Sequence, residues 1–265
     1  MPSTRPLCLI TGASSGIGAD LAICAAADGF DLVLVARRLN ALATVAQRCE
    51  RMHDAKVTII RSDLGDPTAP RVLAAELRVR KLEVHTLVNN AGLGASGSVA
   101  SIPLETQLNL IQVNITALTE ITRRLLPAMQ ERGSGAVLNV ASTAAFLPGP
   151  GMAVYYASKA YVLSFTEALA EELRGTGINV SALCPGPTAT EFGAVAGMSD
   201  AKLFKQKGLM MSSAAVARAG WEGLLSGERV IVPGFTNKLL TQSLRLSPRR
   251  LVARISAYLN ASAAS

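Results

Sequence analysis

Aromatic residues are scarce in this chain: Phe, Trp and Tyr together make 4% of 265 residues, with a single Trp. Recognition of nucleic acid by base stacking therefore has little material to work with. Only two histidines occur, His53 and His85, far apart and in no ligand-like spacing. The four cysteines, Cys8, Cys24, Cys49 and Cys184, form no CxxC pair and lie mostly in apolar runs. They read as small buried hydrophobes in a reducing compartment, not as metal ligands or disulfides, and no metal is expected. No run approaches the roughly 20 apolar residues of a membrane span. The opening segment, broken by Pro2 and Pro6, is too short for a signal peptide. A soluble, cytoplasmic protein is expected. Acidic residues are missing after Glu228, whereas Arg229, Lys238, Arg245, Arg249, Arg250 and Arg254 follow it and supply nearly all of the net charge of +7. No nucleic-acid motif accompanies that basic tail, so no nucleic-acid partner is expected. Its arginines suit an acidic carrier protein, a CoA phosphate or an anionic membrane surface, or else form a solvated face over a packing helix, the commoner arrangement.

What is present is apolar: hydrophobic residues make 49% and charged residues 17%, a balance for a compact globule and against disorder. Short β-rich runs alternate with helical patterns along the whole chain. Strands are expected at Leu7–Thr11, Leu32–Ala36, Val57–Ser62, Val84–Asn90, Ala136–Ala141, Ile178–Cys184 and Arg229–Pro233, and most are continuously apolar, as strands buried on both faces are. Helices are expected near 16–28, 39–53, 67–80, 104–131, 155–174 and 213–226. This alternation predicts a single-domain α/β fold, a doubly wound, Rossmann-type parallel sheet of about seven strands with helices on both faces. Residues 1–235 form the expected catalytic domain, with residues 185–212 as a lid because connections of that length are commonly functional. Residues 236–265 form a basic helical extension, in which Ser247-Pro248 ends one helix and starts the next.

The first expected strand runs into Gly12, Gly16 and Gly18 and then into a helix. Glycines there allow a tight turn and close approach to a pyrophosphate, and the helix offers free N–H groups and its positive end. At the end of the second strand, an NAD site offers an acid to the ribose hydroxyls. This chain has Arg37 and Arg38 instead. A guanidinium matches a 2′-phosphate in charge and geometry, so NADP(H) is the expected cofactor, with Arg37 preferred and Arg38 read as a second or merely solvated cation.

Ser142, Tyr155 and Lys159 form the second constellation. Tyr155 and Lys159, four apart, share a helix face, and Ser142 ends the fifth strand, where open sheets place their ligands. A lysine ammonium beside a tyrosine favours the phenolate and lowers a pKa of about 10, giving a general acid/base, while Ser142 would hold the substrate oxygen. Tyr156, three from Lys159, is a rival that helical geometry alone does not exclude.

The motifs TGASSGIG at 11–18, Asp63-Leu64, Asn89-Asn90-Ala91-Gly92, Asn114, Ser142, Tyr155-Tyr156-Ala157-Ser158-Lys159 and Pro185-Gly186 together resemble the short-chain dehydrogenase/reductase family over roughly residues 7–235. The resemblance implies catalytic roles for Asn114, Ser142, Tyr155 and Lys159, and its YxxxK spacing selects Tyr155. It implies that Lys159 holds the nicotinamide ribose and that Asn114 positions a water in the proton relay. Ser14, Ser15 and Ile17 would contact the cofactor beside the glycines. Asp63 and Leu64 would lie near its adenine, and Asn90, Ala91 and Gly92 along its flank. Pro185, Gly186 and Thr188 complete the implied cofactor-binding set. A homodimer or homotetramer is also implied. The expected reaction interconverts a carbonyl and a secondary alcohol. The substrate is expected to be an apolar ketone or 3-oxoacyl compound, because Leu93, Ala144, Phe146, Leu147 and Met152 flank the site and the lid adds Phe192, Val195, Met198, Leu203, Phe204, Leu209, Met210 and Met211. Two alternatives are a catalytically silent NADP(H) sensor, whose expected sign is a broken tetrad, and a membrane-surface scaffold, which leaves the tetrad unexplained.

Overall fold

The structure is a computed structural model and describes residues 5–197, 210–244 and 247–260. Seven parallel strands form the central sheet in the order β3-β2-β1-β4-β5-β6-β9. They are β1 (Leu7–Thr11), β2 (Asp31–Ala36), β3 (Val57–Arg61), β4 (Val84–Asn89), β5 (Gly135–Val140), β6 (Ile178–Leu183) and β9 (Val230–Ile231). A two-stranded ladder, β7 (Thr188–Ala189) with β8 (Met211–Ser212), brackets the long connection after β6, which holds the one-turn α7 (Phe192–Val195).

Both faces of the sheet are buried, which explains the continuously apolar strands. Alternate residues point to opposite faces. Cys8 and Ile10 of β1, with Leu32 and Leu34 of β2, pack under α1 (Gly16–Ala27), α2 (Leu39–His53) and α8 (Ser213–Leu225). Leu7 and Leu9, with Val33 and Val35, pack on the other face with Leu73 of α3 (Ala69–Val79), Ile121 of α5 (Leu118–Arg132) and Leu169 of α6 (Ala153–Glu172). Leu9, Ile10, Leu32 and Leu34 are fully buried, and each such side chain contributes about 1.5–3 kcal/mol of transfer free energy. On the first face the Trp221 indole N–H donates to Asp28 at 2.6 Å, and its ring stands edge-on to Phe30.

The helix expected over 104–131 is divided: α4 (Leu104–Ile111) leads into a π turn at Gln112–Ala117 before α5 begins. Strand pairing at the sheet's last edge is shorter than the Arg229–Pro233 expectation, because only Val230 and Ile231 meet β6. The terminal segment folds as α9 (Phe235–Leu244) and α10 (Arg249–Asn260), with the break at Ser247-Pro248. No helix among the described residues is long and apolar enough to cross a membrane.

Strand order reverses between β1 and β4, and open sheets bind ligands at such a switch point, outside the carboxyl ends of the strands. The site lies there.

Candidate active site

The turn after β1 is built for close approach. Gly12 has φ +66°, and a Cβ on it would come within 2.8 Å of the Ala91 Cα. A Cβ on Gly18 would collide with the Asn90 side chain and the Gly12 carbonyl. The Asn90 amide explains that crowding: its Nδ2 donates to the carbonyls of Thr11 and Gly12, both at 3.0 Å. In return the Thr11 hydroxyl accepts from the backbone N–H groups of Asn90 and Ala91 at 3.0 and 3.1 Å. The glycine turn is thereby stapled to the end of β4. Asn90 works as a brace and also lines the cavity above, whereas Gly18 lies beneath the turn outside the lining.

A cavity of about 470 Å³ opens above this floor. One end is lined by Gly12, Ser14, Ser15, Gly16 and Ile17 with Arg37, Arg38, Asp63 and Leu64. Its middle is lined by Ala91, Gly92, Pro185, Gly186 and Thr188, and its far end by Ser142, Tyr155 and Lys159. The structure thus brings together nearly every residue that the sequence nominates.

The arginine end carries a stand-in anion. Arg38 donates to Oε2 of Glu191 at 2.8 Å and to the Ser15 hydroxyl at 2.9 Å, and Ser15 donates to the same carboxylate oxygen at 2.9 Å. Arg38 and Ser15, and the bond each makes to it, hold the Glu191 carboxyl below the usual carboxylate range. A guanidinium and a serine hydroxyl converging on one oxygen, beside the N-terminus of α1, form a phosphate-type site. A dinucleotide with an extra phosphate fits this donor set. Both arginines are exposed, but Arg38, read as the second or merely solvated cation, is the one that holds an anion here. Glu191 carries no sequence signal of its own.

At the other end, Tyr155 sits two residues into α6, whose first turn packs on the short helical turn Thr143–Phe146 that follows Ser142. The Ser142 hydroxyl accepts from the Ala144 N–H at 3.1 Å and donates to the Pro185 carbonyl at 3.4 Å, and it lies near enough to the Tyr155 hydroxyl to favour the phenolate. Burial pushes the Tyr155 hydroxyl well above the usual tyrosine value, and Ser142 offsets this only in part. The expected lowering by Lys159 does not arise in the protein alone. The Lys159 ammonium donates to the Val140 carbonyl at 2.8 Å and stands 5.9 Å from the Tyr155 ring centre. Burial brings the Lys159 pKa down to about 8, with Cys184 opposing the shift.

Tyr156 points elsewhere. Its hydroxyl donates to Oδ1 of Asn260 on α10 at 3.0 Å, and Asn260 donates in turn to the Pro150 carbonyl. Asn114 stands in the π turn, outside the cavity lining. Its amide donates to the Leu93 carbonyl at 3.0 Å and to the Ser158 hydroxyl at 2.9 Å, and its Oδ1 accepts from the Leu93 N–H at 2.8 Å. Both amide hydrogens are committed, so the side chain braces the Gly92–Leu93 segment against α6. A second buried network underlies it: Asn89 donates to Thr122 and to Asn139, and Asn139 donates to Thr166.

Of the apolar residues expected near the substrate, Leu93, Ala144, Leu147, Met152, Phe192 and Val195 line the cavity. Phe192 lies against Tyr155, ring centres 5.3 Å apart. Phe146 packs instead beneath the sheet end with Val162 and Cys184. Met211 packs with the core and Met210 is exposed, so these two do not furnish the expected methionine lid. Met198, Leu203, Phe204 and Leu209 lie outside the described residues. Leu240, Thr241 and Leu244 of α9, and Ser256 and Leu259 of α10, also line the cavity. Nothing in the sequence tied these residues to the site.

Comparison with known proteins agrees with this geometry. The family model described as short chain dehydrogenase matches residues 6–199. The ketoacyl reductase HetN of Nostoc sp. is 36% identical over 180 residues, 67% of this chain and 62% of that protein, so the match spans under two thirds of that relative's length. A sulfoacetaldehyde reductase of Chromohalobacter salexigens is 40% identical over 69% of this chain and 72% of its own. Among solved structures, a short-chain dehydrogenase from Sphingobium yanoikuyae in complex with NADPH superposes with a TM-score of 0.80 at 33% identity, covering 92% of this chain and 97% of that one. The bulky-bulky ketone specific alcohol dehydrogenase from Comamonas testosteroni does so with a TM-score of 0.77 at 29% identity, covering 94% and 96%.

Proposed function

The chain belongs to the short-chain dehydrogenase/reductase family and is an oxidoreductase of carbonyl and alcohol groups; on that premise we propose that it is an NADPH-dependent reductase of apolar ketones or 3-oxoacyl compounds. The observation that carries the reading is a single cavity with Arg37, Arg38 and the glycine turn at one end and Ser142, Lys159 and a buried Tyr155 at the other.

The glycine turn would hold a bound NADPH, with Arg37 and Arg38 as the candidates for its 2′-phosphate, and the cofactor would supply the hydride. The chain's own residues manage the proton. The Tyr155 phenol carries its proton at neutral pH and is the general acid of the reductive direction, although burial raises its pKa and weakens it as an acid in the protein alone. Ser142 hydrogen-bonds the substrate oxygen and, after transfer, the phenolate. The Lys159 ammonium, close to the ring, offsets the negative charge that Tyr155 acquires. Asn114 is a positioning residue that fixes Leu93 and α6 relative to each other. The apolar walls from Leu147, Met152, Phe192 and Val195 exclude water and favour a carbonyl flanked by hydrocarbon.

The ketoacyl reductase name of one relative and the ketone-specific title of one structural neighbour support the substrate class. A homo-oligomer in the cytoplasm is part of the same reading. NADPH oxidation measured against a panel of apolar ketones, aldehydes and 3-oxoacyl thioesters tests it. Turnover of hydrophobic ketones is expected, and exclusive turnover of short polar carbonyls would overturn the substrate assignment. The sensor alternative requires no turnover of any panel member.

A further inference from the structure

Beyond Tyr155 and Phe192 the cavity runs up to the two terminal helices, which lie past residues 6–199, the part covered by the family match. Leu240, Leu244 and Leu259 make this wall apolar, with Thr241 and Ser256 its polar members. The Thr241 hydroxyl already donates to the Lys238 carbonyl at 3.0 Å. Ser256 is different: it is 1% exposed, and its hydroxyl has no hydrogen-bond partner among the described residues. A helical serine ordinarily satisfies itself on the carbonyl four residues back, and a buried hydroxyl left without any partner is unfavourable.

The position is held firmly. Val252, Ser256 and Asn260 form the inner face of α10, and Asn260 is fixed by its bonds to Tyr156 and the Pro150 carbonyl. Ser256 therefore stands about one helical turn, about 6 Å along the axis, from a residue bonded to the side chain next to Tyr155. Ser256 lines the same cavity as Ser142 and Tyr155, with Leu240, Leu244 and Leu259 on its wall, so an elongated substrate whose carbonyl is held at Tyr155 would extend its far end toward this wall.

We propose that Ser256 is a specificity-determining residue that hydrogen-bonds a second oxygen of the substrate, remote from the carbonyl being reduced. The substrate class is then an elongated apolar ketone carrying a distal hydroxyl or carbonyl oxygen, since a serine hydroxyl both donates and accepts. This inference rests on the reductase reading and sharpens its substrate.

The test compares a plain bicyclic ketone with its isomers bearing one hydroxyl on the far ring, using wild type and Ser256→Ala with NADPH. Wild type is expected to favour at least one hydroxylated isomer. The Ala variant should lose about three- to tenfold in kcat/KM on that isomer, the worth of one hydrogen bond, while staying within twofold on the plain ketone. Its Tm should equal or exceed that of wild type, because an unpaired buried hydroxyl has been removed. Equal losses on both ketones, no loss on either, or a markedly lower Tm would overturn the proposal. Should wild type reduce neither ketone, the reductase reading fails separately, and thermal-shift binding of the same compounds to the NADPH-loaded protein still decides Ser256: a preference for the hydroxylated isomer that Ser256→Ala abolishes supports it, and no such preference overturns it.

Discussion

Replacing Tyr155 and Tyr156 one at a time by Phe separates proton transfer from packing, because the two neighbouring hydroxyls have opposite surroundings. The Tyr156 hydroxyl is buried and its one bond goes to Asn260. Tyr156→Phe leaves the Asn260 oxygen without its donor, a cost of about 1–3 kcal/mol. For a chain of this size that lowers Tm by roughly 2–10 °C. The reacting end keeps all of its groups, so kcat stays within a few-fold. Tyr155→Phe removes a hydroxyl whose neighbour, Ser142, donates to the Pro185 carbonyl at 3.4 Å. Little stability is lost, yet the proton donor is gone, and kcat falls by about 10²–10⁴. NADPH oxidation and thermal unfolding of the same two preparations provide the readouts. A Tyr155→Phe protein with near-normal turnover, paired with an inactive but stable Tyr156→Phe protein, would refute the assignment.

Three other perturbations probe the remaining parts. Removing both cations, Arg37→Ala with Arg38→Ala, should raise the KM for NADPH at least tenfold and leave that for NADH within about twofold, since a charge-assisted contact is worth about 1.5–3 kcal/mol; equal losses for both cofactors would count against phosphate recognition. The Lys159 pKa falls from its ordinary 10.5 to about 8 in the folded, cofactor-free protein. The unfolded chain therefore binds more protons between those values, and wild type should gain stability relative to Lys159→Met as pH rises from about 8 towards 10.5. A pH-independent difference would show that the ammonium is not desolvated. Gly18→Ala, which sets a methyl against the Asn90 amide and the Gly12 carbonyl, should abolish NADPH binding seen by fluorescence, and retention of wild-type affinity would show that the stapled turn is not needed.

The sheet was legible because its strands are buried on both faces, which leaves unbroken apolar runs such as Leu7–Ile10 and Leu32–Val35. The glycine turn and the Ser142–Tyr155–Lys159 spacing were legible because each depends on residues close in sequence around one strand end or one helix turn. Three features were hidden for the opposite reason. Glu191 reaches Arg38 across 153 residues, and Tyr156 reaches Asn260 across 104, so neither pairing leaves a local trace. The π turn around Asn114 keeps the helical apolar period on both sides, and periodicity cannot register one widened turn. The raised Tyr155 pKa was missed because proximity to Lys159 is visible in a helix spacing, whereas desolvation is visible only after the lid residue Phe192 and the terminal helices are in place.

The most direct measurement of the central claim follows the hydride. NADPH carrying deuterium at both C4 positions is incubated with the protein and an apolar ketone, and the alcohol is analysed by mass spectrometry. One deuterium on the carbinol carbon, made by wild type and lost with Tyr155→Phe, is the predicted result. Unlabelled alcohol, or labelled alcohol formed equally well without the Tyr155 hydroxyl, would contradict the account.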